Sequence, residues 1–238
     1  MRWATDLHLH SCLSPCAEDE MTPNNLVNMA WLKGLELIAV TDHNSARNLP
    51  ACWEVAQARD VALLPGLEVT TREDVHCLCY FPTVEEALAF SAKIHPLLGD
   101  MPNVPRVFGN QLVLNAEDEQ IAVEPMLLIQ ALSLTLAETV SLADAMGGLA
   151  VPAHINRGAN GLLINLGILP EKAGFAALEL SPNAPAPLCD LGDHKILYAS
   201  DAHRLEDIAE PHFYLDLPEK SARAAFDFLL QRRDRMRA

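Results

Sequence analysis

An α/β fold, with strands and helices alternating around a parallel barrel, is what the sequence predicts, on three observations. Short apolar runs of strand length alternate with helical patterns along the chain. Histidines and carboxylates recur at the places where the apolar runs end. The length, 238 residues, is one to which α/β barrels run as a single domain. In such a barrel the C-terminal ends of all strands open on one face, so residues that follow different strands converge there.

The first strand carries Asp6-Leu7-His8-Leu9-His10. Side chains two apart on a strand share a face, so His8 and His10 can meet one cation. Asp6 is expected on that face too, either as a further ligand or as an acceptor that fixes an imidazole tautomer. About 0.3 His-x-His pairs arise by chance in a chain of this composition, so the pair counts only together with ligands elsewhere. The acidic loop Glu18-Asp19-Glu20 leads to Thr22-Pro23, an N-cap followed by proline, which starts a helix to about residue 33, ended by Gly34. Residues 35–41 read as a buried parallel strand delivering Asp42-His43, and Asn44 and Ser45 as the turn and cap of a helix to about residue 59.

A strand over residues 67–71 holds Glu68, another over 75–81 holds His76, and Thr83 opens a helix to about residue 98. Residues 100–125 break the alternation. Apolar runs at 111–114 and 120–123 flank Asn115-Ala116-Glu117-Asp118-Glu119, which predicts an inserted β-hairpin. Helical patterns at about 125–132 and 135–147 follow, and residues 149–153 deliver His154. Residues 174–180 read as a strand, and residues 195–200 as one that delivers Asp201-Ala202-His203. A strand over 212–217 and a helix over about 218–233 close what reads as one domain, residues 1–238.

The formal charge of −15 repels long polyanions and argues against a main role in gripping duplex nucleic acid. No apolar run is long enough to cross a bilayer, and the N-terminal residues lack the apolar stretch of a secretory signal, so a cytoplasmic protein without a membrane partner is expected. Six cysteines with no Cys-x-x-Cys predict reduced thiols. The basic run Arg232-Arg233-Asp234-Arg235-Met236-Arg237 reads as a solvated helix end.

Collected from the strand ends, the candidate metal ligands are His8, His10, His43, Glu68, His76, His154, Asp201 and His203, with one carboxylate from Glu18, Asp19 or Glu20. Imidazole and carboxylate together suit Zn, Mn or Fe, and nine ligands suffice for two or three divalent ions. Such a centre is used in phosphoryl hydrolysis. Arg157, three residues beyond His154, can bind a phosphate through a bidentate guanidinium. His95, His194 and His212 lie away from these positions and read as structural.

In order along the chain, Asp6-Leu7-His8-Leu9-His10, Thr41-Asp42-His43, Pro65-Gly66-Leu67-Glu68, Ala153-His154 and Ser200-Asp201-Ala202-His203 resemble the motifs of the PHP (polymerase and histidinol phosphatase) family. The resemblance implies a distorted seven-stranded (β/α)7 barrel, here with the inserted hairpin, and a trinuclear metal site at its strand ends. By that resemblance His8, His10, Glu68 and Asp201 hold one metal; Glu68, His76 and His154 the second; His43, His203 and a loop residue the third. The chain departs from the family at the loop position, where Pro15-Cys16 stands; counting back from Thr22-Pro23 selects Glu18, then Asp19, then Cys16.

The implied activity is metal-dependent hydrolysis of small phosphate esters, monoester or diester, by a metal-bound hydroxide. Asp201 and His203 are its candidate general acids, and Arg157 its catalytic and substrate-binding cation. A nuclease acting at oligonucleotide ends and a noncatalytic metal-stabilised scaffold are the alternatives, and the sequence leaves the oligomeric state open.

Overall fold

Arg2–Leu9 form β1, which lies at the centre of a four-stranded sheet. A computed structural model describes residues 1–170 and 173–237; the side chains of residues 232–237, and with them the basic run, lie outside the described residues. In chain order the elements are β1, α1 (Pro23–Leu32), β2 (Leu37–Val40), α2 (Leu49–Ala58), β3 (Ala62–Leu63), β4 (Gly66–Thr70), β5 (His76–Tyr80), α3 (Val84–Ile94), α4 (Pro105–Phe108), β6 (Leu112–Leu114), β7 (Gln120–Val123), α5 (Leu136–Ala145), β8 (Leu149–Pro152), α6 (Leu162–Leu166), β9 (Leu178–Leu180), β10 (Ile196–Tyr198), β11 (Tyr214–Asp216) and α7 (Ala222–Arg237). Among the described residues no helix is long and apolar enough to cross a membrane.

Strands β2, β4, β5, β8 and β9 are buried throughout, and the side chains of the central strands divide by alternation between two apolar layers. Leu37, Ala39, Leu78, Tyr80, Leu149 and Val151 pack in an inner layer with Phe226 and Leu229 of α7. Ile38, Val40, Cys77, Cys79 and Ala150 pack outward with residues of the helices. Each fully buried leucine or isoleucine contributes roughly 1.5–3 kcal/mol.

The helix ends follow from local chemistry. Thr22, Thr83 and Thr135 each accept a backbone N–H of the first turn they cap, and Thr135 with Glu138 completes a capping box. The helix expected to start after Ser45 begins instead at Leu49, with Pro50 in its first turn. An earlier start would put Pro50 inside the helix, where its missing N–H breaks the ladder. Residues 125–132 are not helical: Pro102 bridges Met126 and Leu98 bridges Leu132, so the segment runs extended against residues 98–102.

The strand ladders fall into four groups: β11-β1-β2-β3, β4-β5-β8, β9-β10 and the hairpin β6-β7. No closed ladder joins them among the described residues, so the expected seven-stranded barrel is not closed by hydrogen bonds. Isolated bridges Leu9 to Ala202 and His43 to Glu68 link the groups. Nor are all strands parallel. Only residues 71–75 separate β4 from β5, too few for a crossover, so β5 returns antiparallel and pairs His76 with Thr70. That reversal brings His76, the first residue of β5, to the same end of the sheet as the C-terminal half of β4.

Candidate metal centre

A bulge in β1 sets the geometry of the first two histidines. The β1–β2 register shifts between Asp6 and Leu9, and Ala4 and Leu9, five residues apart, lie in the same outward layer. Unbroken alternation would put them on opposite faces. The shift separates Asp6 from His8 and His10. Asp6, fully buried, accepts the N–H groups of Ser200 (3.0 Å) and Ala209 (3.1 Å), and it neither joins the metal-ligand sets nor fixes an imidazole.

Glu68 of β4 lies at the middle of the site with no exposed surface. Its Oε1 is 3.0 Å from His76 Nδ1 and 3.3 Å from His8 Nε2 and His154 Nε2. Its Oε2 is 3.2 Å from His43 Nδ1 and 3.4 Å from His10 Nε2. None of these contacts has hydrogen-bond geometry, and His43 Nδ1, both ring nitrogens of His154 and Asp201 Oδ1 are likewise buried without a partner. Asp201 Oδ1 is 3.3 Å from both His8 Nε2 and His10 Nε2, themselves 3.1 Å apart.

Three sets could each hold a cation: His8, His10, Glu68 and Asp201; His43, Glu68 and His76; His10, His43 and His203. The donors fit divalent ions. A buried carboxylate with no hydrogen bond is costly unless a cation compensates it, and so many unpartnered donor atoms facing one point have that remedy in common. His154 and Asp201 lie at positive φ, 28° and 56°, a strain of the kind that concentrates at functional sites.

The electrostatics follow the crowding. Burial opposes charge on Glu68, but the imidazoles of His76, His8, His43 and His10 hold its carboxyl well below the usual range. Burial likewise opposes the charged form of His8, yet Glu179, Glu68 and Asp201 push its pKa well up, and Asp201 and Glu68 bring His10 to about 9. His43 is driven down by burial and by the charge of His10, and His203 by the same causes to about 4.

A family model described as PHP domain matches residues 6–140, more than half of the chain. The chain belongs to the PHP domain family. No curated protein matches it. Among solved structures it resembles the lesion-specific endonuclease EndoQ from Pyrococcus furiosus, with 21% identity and a TM-score of 0.69 over 95% of this chain and 55% of that one. A protein from Bifidobacterium adolescentis assigned as a metal-dependent phosphoesterase has 18% identity and a TM-score of 0.59, over 89% of this chain and 92% of that one. An amidohydrolase from Chromobacterium violaceum has 20% identity and a TM-score of 0.59, with 96% of each chain covered. The PHP chain spans little more than half the length of the endonuclease.

Eight of the expected ligands of this PHP domain are thus brought together: His8, His10, His43, Glu68, His76, His154, Asp201 and His203. Glu18 and Asp19 are not. The Glu18 N–H donates to His203 O (3.0 Å), which fixes its backbone beside the site, but its half-exposed carboxylate turns outward to Arg204 Nε at 3.1 Å. Asp19, exposed, accepts from Asn110 Nδ2, and Cys16 is exposed outside all three sets.

Two carboxylates orient the first-strand histidines from behind. Glu179 of β9, buried, accepts the His8 Nδ1–H at 3.0 and 3.1 Å and the His154 N–H at 2.9 Å. In the neutral ring, the form that binds a metal, this leaves the Nε2 lone pair of His8 toward Glu68. Sequence reasoning missed this residue; its only signal was an acid in an otherwise apolar strand, the same signal that marked Glu68. Asp42 acts through a relay. Ser14 Oγ donates to Asp42 Oδ1 (2.7 Å) and so accepts from His10 Nδ1–H (2.8 Å), which frees His10 Nε2.

Arg157 Nη1 forms an ion pair with Asp201 Oδ2 at the edge of a cleft of about 530 Å³, lined also by Asn183, Ser200, His212 and Phe213. His212, expected to be merely structural, is part of this wall.

Proposed function

We propose that this PHP domain hydrolyses small phosphate esters, monoesters or diesters, with two or three divalent ions (Zn, Mn or Fe) held by His8, His10, His43, Glu68, His76, His154, Asp201 and His203. The observation that carries this reading is Glu68, a fully buried carboxylate without a hydrogen bond, ringed by five imidazoles within 3.4 Å. When bound, the ions supply Lewis acidity toward phosphoryl oxygens and lower the pKa of a water. We read the three strand groups other than the inserted hairpin β6-β7 as parts of one distorted barrel wall, and residues 1–238 as one domain. A cytoplasmic location is part of the same proposal. Neither Glu18 nor Asp19 is needed for the three sets, and Glu18 would have to leave Arg204 to join one.

Arg157 is the phosphate anchor in this reading. Its guanidinium, half exposed, pairs with Asp201 in the wall of the cleft and would offer planar donors to a phosphate seated there. Asp201 and His203 lie at the more open side of the site, and in this reading the proton donor to the leaving group is whichever of them is not engaged by an ion. His203 Nδ1–H donates to Asp201 O at 2.8 Å, so its Nε2 faces away from that bond. The cleft, with Asp201 and Asp207 in its walls, favours a compact ester over a long polyanion.

The likeness to an endonuclease fold favours a second reading, cleavage of nucleic acid; a related Endonuclease Q structure holds a 27-mer duplex with an abasic lesion at the active site. Hydrolysis of aryl phosphate monoesters and diesters, compared with cleavage of a short oligonucleotide and an abasic duplex on the same preparation, separates the two. Turnover confined to the small esters supports the proposal, and cleavage confined to the nucleic acids contradicts it.

Two variants report on the parts. Arg157→Ala is expected to raise KM for a phosphate ester roughly ten- to a hundredfold, the loss of charge-assisted hydrogen bonds, with metal content unchanged. A fall in metal content at constant KM contradicts its role. Glu179→Gln keeps the shape but removes the charge behind His8 and is expected to weaken metal affinity about 10- to 100-fold, read by titrating Mn into metal-stripped protein. Unchanged affinity would mean that His8 needs no orienting carboxylate.

A further inference from the structure

The inserted hairpin touches, at separate places, the two loops that carry His10 and His43. Leu112 N–H donates to Cys12 O (2.9 Å), just after His10. Asn44, just after His43, donates from Nδ2 to Leu128 O (2.7 Å) and Gln130 O (3.0 Å), in the segment leaving the hairpin. At the hairpin tip, Asp118 accepts the Thr22 hydroxyl (2.6 Å) and the Asn24 N–H (3.1 Å), which ties down the start of α1 and with it the far end of the loop after His10.

Asn48 joins these contacts to the metal centre. It occupies the N-cap position of α2, yet its side chain makes no capping bond. Fully buried, it instead accepts Leu114 N–H (3.0 Å) and donates to Leu112 O (3.1 Å) and Ser11 Oγ (2.9 Å). Ser11 Oγ in turn donates to Asp42 Oδ2 (2.6 Å), whose other oxygen holds Ser14 and, through it, His10 Nδ1 and the His43 N–H (3.1 Å). Every link is a buried polar group whose partner is the next link. Such a network is rigid when complete and costly when broken.

We propose that the hairpin is a positioning strap for the His10, His43 and His203 set, with Asn48 as the positioning residue that transmits its hold. This set has no carboxylate to pull its donors together, so its geometry depends on the backbone around His10 and His43. The other two sets share His10 or His43 with it, but each also contains Glu68. The inference rests on the metal reading above.

The test is calorimetric titration of Mn into metal-stripped wild type, Asn48→Ala and Asp118→Ala. For Asn48→Ala, the ion of the His10, His43 and His203 set is expected to weaken about tenfold or more, and the ions of the sets that contain Glu68 to weaken less. Asp118→Ala cuts the strap at its tip, away from every candidate ligand, and is expected to weaken the same ion; it serves as the readout if Asn48→Ala does not fold. Thermal unfolding of the metal-free proteins separates this from a loss of stability alone. Wild-type affinity in both variants, or equal weakening of every ion, overturns the strap. A wild type that takes up no Mn overturns the metal reading beneath it.

Discussion

Glu68→Gln is expected to leave less than one metal ion per chain and to lower phosphate-ester turnover by more than the 10- to 100-fold typical of residues one step removed from a metal. The amide matches the carboxylate in size, so packing around β4 is kept. What changes is the charge at a point shared by two of the three candidate sets and within 3.4 Å of five imidazoles. A neutral oxygen is a far weaker ligand for a hard or borderline cation, and the amide nitrogen has no lone pair to offer. Metal analysis of purified variant protein, with turnover measured on the same sample, reads both effects. Full metal content would show that Glu68 is compensated some other way.

Replacing both His8 and His10 with alanine is expected to remove activity and lower metal content together. Both Nε2 atoms face Asp201 Oδ1 at 3.3 Å, and each ring is held in that tautomer by its own partner, Glu179 or Ser14. Losing the pair empties the set that joins Glu68 to Asp201, and His10 also belongs to the set with His43 and His203. The contrast with Arg157→Ala is the diagnostic part: one variant loses metal, the other loses phosphate binding. If the double variant keeps its full metal content, the ligand assignment is wrong.

Much of this centre was legible because ligand chemistry is local. A histidine or acid in or just past a short apolar run marks a strand whatever the tertiary structure, and eight such residues do converge. The failures have physical causes that a strand pattern does not carry. Asp6 and His8 are two apart and read as neighbours on one face, but the bulge in β1 separates them. His76 does lie in a strand as read, but the short 71–75 connection makes β5 antiparallel to β4, and this direction, which the pattern does not carry, sets His76 opposite Thr70. The side chains of Glu18 and Asp19 are set by a surface ion pair with Arg204 and by a contact with Asn110, both far away in sequence. Glu179 was missed because its role depends on β9 passing behind His8, 171 residues away in sequence. The helix after His43 was placed too early because the capping signal of Ser45 was weighed without the limit imposed by Pro50.

The most direct test of the metal-dependent phosphoesterase reading is metal content per chain of protein purified without added metal, with hydrolysis of an aryl phosphate monoester and diester recorded on the same sample with and without Mn. Two or three ions per chain with Mn-stimulated turnover is the predicted result. Fewer than one ion per chain, and no turnover after reconstitution with Mn, would contradict it and leave the buried cluster as a noncatalytic scaffold.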